Sequence, residues 1–507
     1  MKKIHLLFTS FLVFNFIIFA NEKSQPNVLL ICVDDLNDWV SFLDGHPQSK
    51  TPHMKKLAEK GVNFSDAHCT SPGCSPSRNA FFFGVEPHNS GLYPFYDIVE
   101  IEPGNIDHYT PMPLLFRQNG YFTVGLNKVY HNPDNEYKQK EQWDIYKSMG
   151  DSNMNLLLDQ GYVPEKAKNS KNPARSKAKR LIACPADNPK EDFRDYKIAD
   201  YAANFLSKNH KKPFFLAVGF ILPHTPLIAP KENFDRFSDA IIEPPFKYDD
   251  LQDIPIAGQS NAQIYVEKPM REHDAWEQMR RAYLSCVSFT DDNVGIVMDA
   301  LNQSAYVDNT IVVLWSDHGF HLGEKRSFSK FSLWNEATRV PFIIYDPRNE
   351  TGNQQICEEP VGLINVYKTL CDLTGLEAPD HVDGISLKPW VYQPKTPKKS
   401  PAMTTWGRGN YTLKTKKWRY TRYFDGTEEL YNQSNDSNEW NNLASNPEFK
   451  PLMESFQNSW LPKSEKPQVR SGIKLYNVSD ADNPTKNINS YKRLVKDYQS
   501  SGLKPPL

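Results

Sequence analysis

Two short polar segments in this sequence could together bind a metal ion. Asp34 and Asp35 come directly after an apolar run, and Asp317 and His318 come directly after another. Adjacent carboxylates repel each other unless positive charge lies between them, and hard divalent cations take several oxygen ligands from such groups. The pattern therefore indicates a metal site, although acidic pairs also cap helices and make structural hydrogen bonds.

One cysteine has the surroundings of a reactive group. Cys74 lies among small residues and prolines in the segment SPGCSPSR (71–78), which is typical of a turn leading into a helix. Arg78 follows one helical turn later, so its cation can approach the thiol. Isolated cysteines are usually small buried hydrophobes. Because an odd total of seven leaves at least one without a partner in the chain, a chemical role for Cys74 stays open.

Strands and helices alternate along the chain, which places these residues at one edge of a sheet. The apolar runs Asn27–Val33, Phe214–Phe220 and Thr310–Trp315 are typical of buried parallel strands. Apolar residues recur at helical spacing between Trp276 and Leu301, and such alternation predicts a mostly parallel α/β sheet. Ligands of these sheets bind beyond the carboxyl ends of the strands. The two acidic segments and His224 follow the three runs, so we expect them to meet there.

These segments and several others resemble the type I, formylglycine-dependent sulfatases of the alkaline-phosphatase superfamily. Residues 74–78 (CSPSR) are similar to the C-x-P-S-R maturation signature of that family. The other family elements follow in the family order: 33–35 (VDD), 125–131 (GLNKVYH), 223–226 (PHTP), 316–319 (SDHG), Lys330 and 429–443. The Asp-His pair at 317–318 and the spacing of Lys128 and His131 are most similar to the iduronate-2-sulfatase-like branch. Leu222 departs from that branch, which can carry a basic residue there, and leaves the sugar specificity open.

The resemblance implies an α/β fold in which helices sandwich a mostly parallel, alkaline-phosphatase-like sheet. It also implies a smaller C-terminal α+β subdomain with an antiparallel sheet, and the alternating pattern of Met403–Tyr431 is typical of such strands. Proline and lysine punctuate the chain near 379–401. We therefore expect a catalytic domain at residues 21–395, and the C-terminal subdomain and tail at 396–507.

The resemblance further implies a mechanism and assigns residues to it. A formylglycine-generating maturation enzyme would convert Cys74 to formylglycine (3-oxoalanine), whose hydrated aldehyde attacks sulfur. Ca²⁺ is the implied ion, and its implied ligands are Asp34, Asp35, Cys74, Asp317 and His318. Arg78 would stabilise the hydrated aldehyde and orient its loop, and Lys128 and Lys330 would bind sulfate oxygens. His131 would remove the second proton of the hydrate to expel sulfate, and His224, together with Lys330, would protonate or stabilise the departing sugar oxygen.

The N-terminal residues 1–20 have the pattern of a signal peptide. Lys2 and Lys3 precede the apolar run Leu6–Phe19, and the small residue Ala20 ends the segment. The run is shorter than the ~20 residues that a spanning helix needs. We therefore predict export to the periplasm or the medium, without stable membrane insertion. A net charge of −2 argues against a nucleic-acid partner, because the chain as a whole has no net positive charge to attract it to a polyanion.

The expected substrate is a sulfated carbohydrate, either glycosaminoglycan fragments or sulfated algal polysaccharide. Trp406 and Arg408 are candidate sugar contacts. The segment 166–180 carries seven basic residues and no acidic one, and it is either a solvated insertion or a landing surface for a polyanion.

Two other functions stay open at this point. One is a phosphatase, phosphodiesterase or phosphonate monoester hydrolase of the same superfamily, and the other is a non-catalytic binder of sulfated glycans. The first kind usually uses Thr, Ser or unmodified Cys as nucleophile, whereas the context of Cys74 favours its modification. A binder that evolved from an inactivated sulfatase should have lost this cysteine or one of the predicted metal ligands, whereas the cysteine and all of those ligands are present.

Overall fold

The computed structural model describes residues 25–93, 106–131, 139–149, 153, 182–262, 264–272, 274–469, 488–489 and 491–496. The predicted signal peptide, the basic segment 166–180 and most of the tail after 469 lie outside these ranges. None of the helices within the ranges combines the length and the apolar character that crossing a membrane requires.

A sheet of eight strands forms the centre of the molecule, in the order β11-β2-β10-β9-β1-β7-β4-β5. The strands along the chain are β1 (Asn27–Val33), β2 (Val62–Phe64), β3 (Ala67–His68), β4 (Phe122–Asn127), β5 (Ile145–Lys147), β6 (Ala183–Ala186), β7 (Phe214–Phe220), β8 (Leu227–Pro230), β9 (Thr310–Ser316), β10 (Phe342–Tyr345), β11 (Gln355–Cys357), β12 (Val361–Gly362), β13 (Ala402–Thr405), β14 (Tyr411–Lys414), β15 (Trp418–Arg422) and β16 (Glu428–Asn432). Strand β10 runs antiparallel to β2 and β9, and the other pairings in this sheet are parallel. The mostly parallel sheet confirms the predicted fold class.

The register of the central strands brings four strand ends together. Val33 at the end of β1 pairs with Phe220 of β7 on one side and with Ser316 of β9 on the other. Asn127 at the end of β4 pairs with Gly219 of β7. The residues that follow β1, β4, β7 and β9 therefore leave the sheet at one edge, where ligands of such sheets bind.

Helices cover both faces of this sheet. The α-helices are Pro52–Lys60, Cys74–Phe83, Pro87–Ser90, Met112–Gln118, Gln139–Gln142, Arg194–Leu206, Lys231–Asp235, Ile256–Gln259, Ile264–Glu272, Trp276–Asn302, Asn335–Thr338, Val366–Thr374, Lys388–Tyr392 and Lys450–Ser459. Alternate residues of β1 point to opposite faces of the sheet. Leu29 and Ile31 belong to the hydrophobic cluster that includes the helix Trp276–Asn302, and Leu30 belongs to the one that includes the helix Cys74–Phe83. Burial on both sides explains why the strand is apolar throughout.

The C-terminal part forms a second sheet. Strands β13 to β16 pair antiparallel in sequence order, as the alternating pattern of that region predicts. Tyr420 and Leu430 pack with Met453 and Phe456 of the helix Lys450–Ser459. The α+β character of this subdomain agrees with the expectation, while the proposed boundary between residues 395 and 396 stays a prediction.

Candidate active site

Cys74 lies at the strand-end edge of the large sheet. It is the first residue of the helix Cys74–Phe83, and the preceding Gly73 is in an extended conformation. Ser77 Oγ donates a hydrogen bond of 2.6 Å to the carbonyl oxygen of Asp317, which ties the first turn of the helix to the end of β9. The thiol is buried, with 1% of the residue exposed.

Two ammonium groups and one imidazole surround the thiol. Lys330 Nζ lies 3.0 Å from Cys74 Sγ, His318 Nε2 lies 3.3 Å from it, and Lys128 Nζ lies 4.0 Å from it. These three residues come from the loops after β9 and β4, which are far apart in the sequence. The structure thus brings both sequence-predicted lysines to the predicted nucleophile.

The carboxylates of the first acidic pair lie in the same cluster. Asp34 accepts a hydrogen bond from Lys128 Nζ, and Asp35 Oδ1 accepts one of 2.5 Å from Lys330 Nζ. In this cluster, Asp34, Asp35, Cys74 and His318 each offer one possible ligand atom, and these four atoms lie within 4.8 Å of one another. Carboxylate oxygens are the ligands that hard divalent cations prefer, although imidazole is a less usual partner for calcium. This donor set fits one divalent cation.

Asp317 lies beside this group of four and makes different contacts. Its Oδ1 accepts from the backbone N–H groups of Asp35 at 3.2 Å and His318 at 3.1 Å. Its Oδ2 accepts from Arg78 Nε at 2.8 Å and lies 3.5 Å from His318 Nε2. The side chain therefore lies next to the cluster, but both of its oxygens already accept hydrogen bonds from residues that support or carry the other possible ligands.

Arg78 is fully buried and joins the strand ends beneath the cluster. Besides Asp317, its guanidinium donates to Asp34 Oδ1 at 3.4 Å, to the Val129 carbonyl oxygen at 2.9 Å and to the Lys128 carbonyl oxygen. One side chain thereby connects the residues after β1, β4 and β9. The bonds to two carbonyl groups have no signal in the sequence, where only the charge of Arg78 and its distance from Cys74 are visible.

The charged groups of the cluster balance one another. Burial alone would raise the pKa of Asp34, but the Lys128 ammonium and neighbouring cations lower it well below its usual range. Burial opposes the charged form of Lys330, yet the charge of Asp35 raises its pKa. The imidazole of His318 is fully buried, which lowers its pKa and favours the neutral form. The opposed charges are those of Asp34, Asp35 and Asp317 against those of Arg78, Lys128 and Lys330.

A tyrosine that sequence reasoning missed supports the first acidic pair. Asp35 has a left-handed backbone (φ 59°), an uncommon conformation for a residue other than glycine. Tyr283, on the helix Trp276–Asn302, donates from its hydroxyl to the Asp35 carbonyl oxygen at 2.7 Å. The same hydroxyl accepts from the Asn37 backbone N–H at 2.9 Å. These two bonds hold the turn that presents Asp34 and Asp35 to the cluster.

The loop after β7 carries His224, which is half-buried. Its Nδ1 lies 2.6 Å from the Thr225 carbonyl oxygen, which can only accept, so Nδ1 carries the proton and Nε2 is left as an acceptor. Its partly buried position and the Lys128 charge lower the pKa of His224 well below the usual value. Asp195 fixes the loop, because its carboxylate accepts from the Ile221 N–H at 3.1 Å and the Leu222 N–H at 2.9 Å.

Three further candidates differ in their surroundings. His131 lies in the loop after β4, three residues beyond Lys128, and is half-buried. Trp406 is only 2% exposed, because its ring stacks on that of Phe331 with 5.2 Å between the centroids. Little of the indole is left for a ligand, so the expected sugar contact of Trp406 is not met. Arg408, in contrast, is 41% exposed.

Comparison with known sequences identifies a family. The sequence model of the sulfatase family matches residues 26–376, and the model of the C-terminal part of N-sulphoglucosamine sulphohydrolase matches residues 323–466. A sulfatase of Formosa agariphila is 36% identical over 455 residues, which cover 87% of this chain and 87% of that protein. The iduronate 2-sulfatase of Mus musculus is 29% identical over 398 residues, covering 70% of this chain and 69% of its own length.

Solved structures show the same fold at lower sequence identity. A protein captured with its substrate D-glucosamine-2-N,6-O-disulfate has a TM-score of 0.66 and 20% identity, covering 86% of this chain and 98% of that chain. The phosphonate monoester hydrolase of Agrobacterium radiobacter has a TM-score of 0.66 and 18% identity, covering 85% of this chain and 94% of that chain. At this level of identity the likeness concerns the architecture alone.

Proposed function

This chain belongs to the type I sulfatases of the alkaline-phosphatase superfamily and is a sulfuric ester hydrolase, and on that premise we propose that it hydrolyses sulfate esters on carbohydrate with a formylglycine formed from Cys74 and a bound Ca²⁺. The position of the Cys74 side chain carries this proposal. Its Sγ lies 3.0 Å from Lys330 Nζ and 3.3 Å from His318 Nε2, beside two carboxylates that suit a metal ion. A nucleophile at this position would have two ammonium groups nearby for the sulfate group, those of Lys330 and Lys128.

The charge balance of the cluster favours a monoanionic ester bound together with a divalent cation. The protein's own charges in the cluster cancel, since three carboxylates face three cations. A sulfate monoester adds one negative charge, and a deprotonated formylglycine hydrate adds another. Uncompensated charge is costly in a buried site, and a divalent cation would restore neutrality. Ion and substrate should therefore strengthen each other's binding.

Lys128 and Lys330 would bind the sulfate oxygens. Their ammonium groups lie 4.0 Å and 3.0 Å from Cys74 Sγ. Burial disfavours the charged form of Lys128, but the Asp34 carboxylate raises its pKa, so the lysine stays protonated. Fixed cations at this distance stabilise negative charge that develops on the sulfate group in the transition state. The N–H groups of Arg78 already donate to residues at the strand ends, so we propose that Arg78 orients the site and does not bind sulfate.

Two histidines would handle protons. His131 would take the second proton of the hydrate, which lets the aldehyde reform as the bond to sulfate breaks. His224 presents Nε2 as an acceptor, and an anion bound nearby would raise its pKa toward the imidazolium form. The imidazolium can then give its proton to the departing sugar oxygen.

Asp34, Asp35 and His318 would hold the ion together with the modified residue at position 74, and Asp317 would support them from the side. When bound, the ion supplies positive charge that polarises the sulfate group. We propose Ca²⁺ because the carboxylate oxygens of Asp34 and Asp35, with an oxygen of the modified residue at position 74, would outnumber the one imidazole nitrogen.

The proposed substrate is a sulfated carbohydrate, and the protein would be modified at Cys74 and exported. The mouse relative, 29% identical, is an iduronate 2-sulfatase, which supports a sulfated carbohydrate as the substrate. A formylglycine-generating enzyme would act on the CSPSR segment of 74–78. Residues 1–20 would direct export to the periplasm or the medium.

Measuring the release of inorganic sulfate, with phosphate release as the comparison, tests the proposal. Protein made in a host with the maturation enzyme should release sulfate from a panel of sulfated oligosaccharides, lose this activity with a chelator and regain it with Ca²⁺. Cys74→Ala should abolish turnover, whereas Cys184→Ala, at a half-buried cysteine outside the cluster, should not. Cleavage of the matching phosphate esters alone, or full activity of Cys74→Ala, would contradict the proposal.

A further inference from the structure

A basic cleft opens at one end of the C-terminal sheet, outside the active-site cluster. It has a volume of about 680 Å³ and lies between the hairpin turns 406–410 and 423–427 and the chain after the helix Lys450–Ser459. Its lining includes Arg408, Arg422, Phe424, Lys463 and Glu465. We call it the C-terminal cleft.

The C-terminal cleft adjoins the segment that leads into the active site. The Thr405 N–H at the end of β13 donates to the Thr70 carbonyl oxygen at 2.9 Å, four residues before Cys74. Trp406 then stacks on Phe331, whose N–H donates to the Pro72 carbonyl oxygen at 3.1 Å. Phe331 directly follows Lys330, which contacts the thiol. The hairpin that supplies Arg408 to the cleft is thus packed against both active-site loops.

The cleft carries excess positive charge. Glu465 is already engaged, because its oxygens lie 3.3 Å from Arg408 Nε and 2.6 Å from the Tyr411 hydroxyl. Within the described ranges, no carboxylate lies at ion-pair distance from Arg422 or Lys463. Lys463 Nζ donates to the Asn458 carbonyl oxygen at 2.5 Å, a neutral group that leaves its charge uncompensated. Two cations without a carboxylate partner therefore line the cleft, and a guanidinium suits the oxygens of a sulfate group.

An exposed aromatic ring lies next to these cations. Phe424 is 39% exposed at the tip of the turn 423–427, so part of its ring is accessible from solvent. A sugar ring presents apolar C–H faces that can pack on an aromatic ring, while its sulfate groups need cations. Phe424 beside Arg422 and Lys463 offers both kinds of contact in one cleft.

We infer that the C-terminal cleft binds a second sulfated sugar of the same chain, at a distance from the ester that is cleaved. This inference rests on the proposed carbohydrate sulfatase activity. A chain long enough to reach both places would be held at two points, so the cleft raises the affinity for long substrates and leaves short ones unaffected. The enzyme would then favour oligosaccharides over their terminal units.

The test compares substrates of different length. Arg422→Gln/Lys463→Gln and, separately, Phe424→Ala are assayed on sulfated oligosaccharides from disaccharide to decasaccharide. Lys416→Gln is the control, because Lys416 is 62% exposed in the turn at the opposite end of the same sheet. We expect the double variant to raise KM for the decasaccharide about tenfold, with kcat and the disaccharide kinetics unchanged. Phe424→Ala should act in the same direction.

The outcomes separate this inference from the proposed function. If wild type cleaves both substrates and the cleft variants leave the decasaccharide KM unchanged, or alter both substrates equally, the cleft is not a second binding site. If Lys416→Gln has the same effect as the double variant, general charge explains the result and the inference falls. If wild type cleaves neither saccharide but hydrolyses other esters, the proposed function fails first and the inference fails with it.

Discussion

Replacing Tyr283 with phenylalanine removes one hydroxyl that supports the predicted metal-binding turn. The hydroxyl is buried, donates to the Asp35 carbonyl oxygen at 2.7 Å and accepts from the Asn37 N–H at 2.9 Å. Phenylalanine leaves both backbone groups buried without this partner, at a cost of about 1–3 kcal/mol for each group. Partial relaxation should bring the total loss of unfolding free energy to roughly 2–4 kcal/mol.

The same substitution should weaken metal binding. Asp35 holds a left-handed backbone conformation, which persists when the surroundings fix it. Loss of a group that orients a metal ligand typically lowers affinity 10- to 100-fold. Because Tyr283 contacts the backbone of Asp35 and not its carboxylate, we expect the lower end: about a tenfold rise in the Ca²⁺ concentration for half-maximal activity.

Tyr121→Phe is the matched control for both measurements. Its hydroxyl donates to the Pro26 carbonyl oxygen at 3.0 Å, just before the start of β1 and thus at the opposite end of the strand from Asp35. Urea unfolding should show a smaller loss of about 1–2 kcal/mol for this variant. Its Ca²⁺ titration should match that of wild type. The reasoning is refuted if Tyr283→Phe loses no more stability than Tyr121→Phe and keeps the wild-type Ca²⁺ midpoint.

Three further variants test other contacts. Lys330→Met should lower kcat/KM on a sulfated oligosaccharide about 10²–10³-fold because it removes a cation 3.0 Å from Cys74 Sγ, and an unchanged value would contradict that role. Asp195→Asn weakens the side chain that accepts hydrogen bonds from the backbone of the loop carrying His224. We expect kcat to fall about tenfold with little change in KM. Equal changes in kcat and KM would indicate a different role. Burial and the nearby Asp383 charge raise the pKa of Glu86 to about 8, so the folded state favours the protonated acid. Wild-type stability should therefore fall between about pH 5 and pH 8 by up to ~1.4 kcal/mol per pH unit, and urea unfolding of Glu86→Gln should lack this fall. Parallel pH profiles for wild type and Glu86→Gln would refute the assignment.

The core of the fold could be predicted because each central strand is one continuous apolar run. The observed bounds of β1 and β7, Asn27–Val33 and Phe214–Phe220, agree with the predicted runs, and β9 extends the third run by Ser316. Burial on both faces of a parallel sheet requires such composition. The meeting of the acidic segments and His224 at one edge followed from the same reasoning, since parallel strands share a carboxyl edge.

Other parts of the site could not be predicted, because they depend on backbone groups and on distant elements. Tyr283 reaches Asp35 from 248 positions away in the sequence, on a helix whose pattern shows only its apolar spacing. The bonds from Arg78 to two carbonyl groups depend on how the loop after β4 returns to the sheet. Trp406 could not be distinguished from an exposed sugar platform until its stacking on Phe331 was known.

Mass spectrometry of the tryptic peptide 61–78, which contains Cys74, tests the central proposal most directly. The protein should come from a host with a formylglycine-generating enzyme, together with a control sulfatase whose modification is verified. We predict a peptide mass with an aldehyde in place of the Cys74 thiol. An unmodified thiol in protein that hydrolyses sulfate esters at full rate, beside a modified control, would contradict the account.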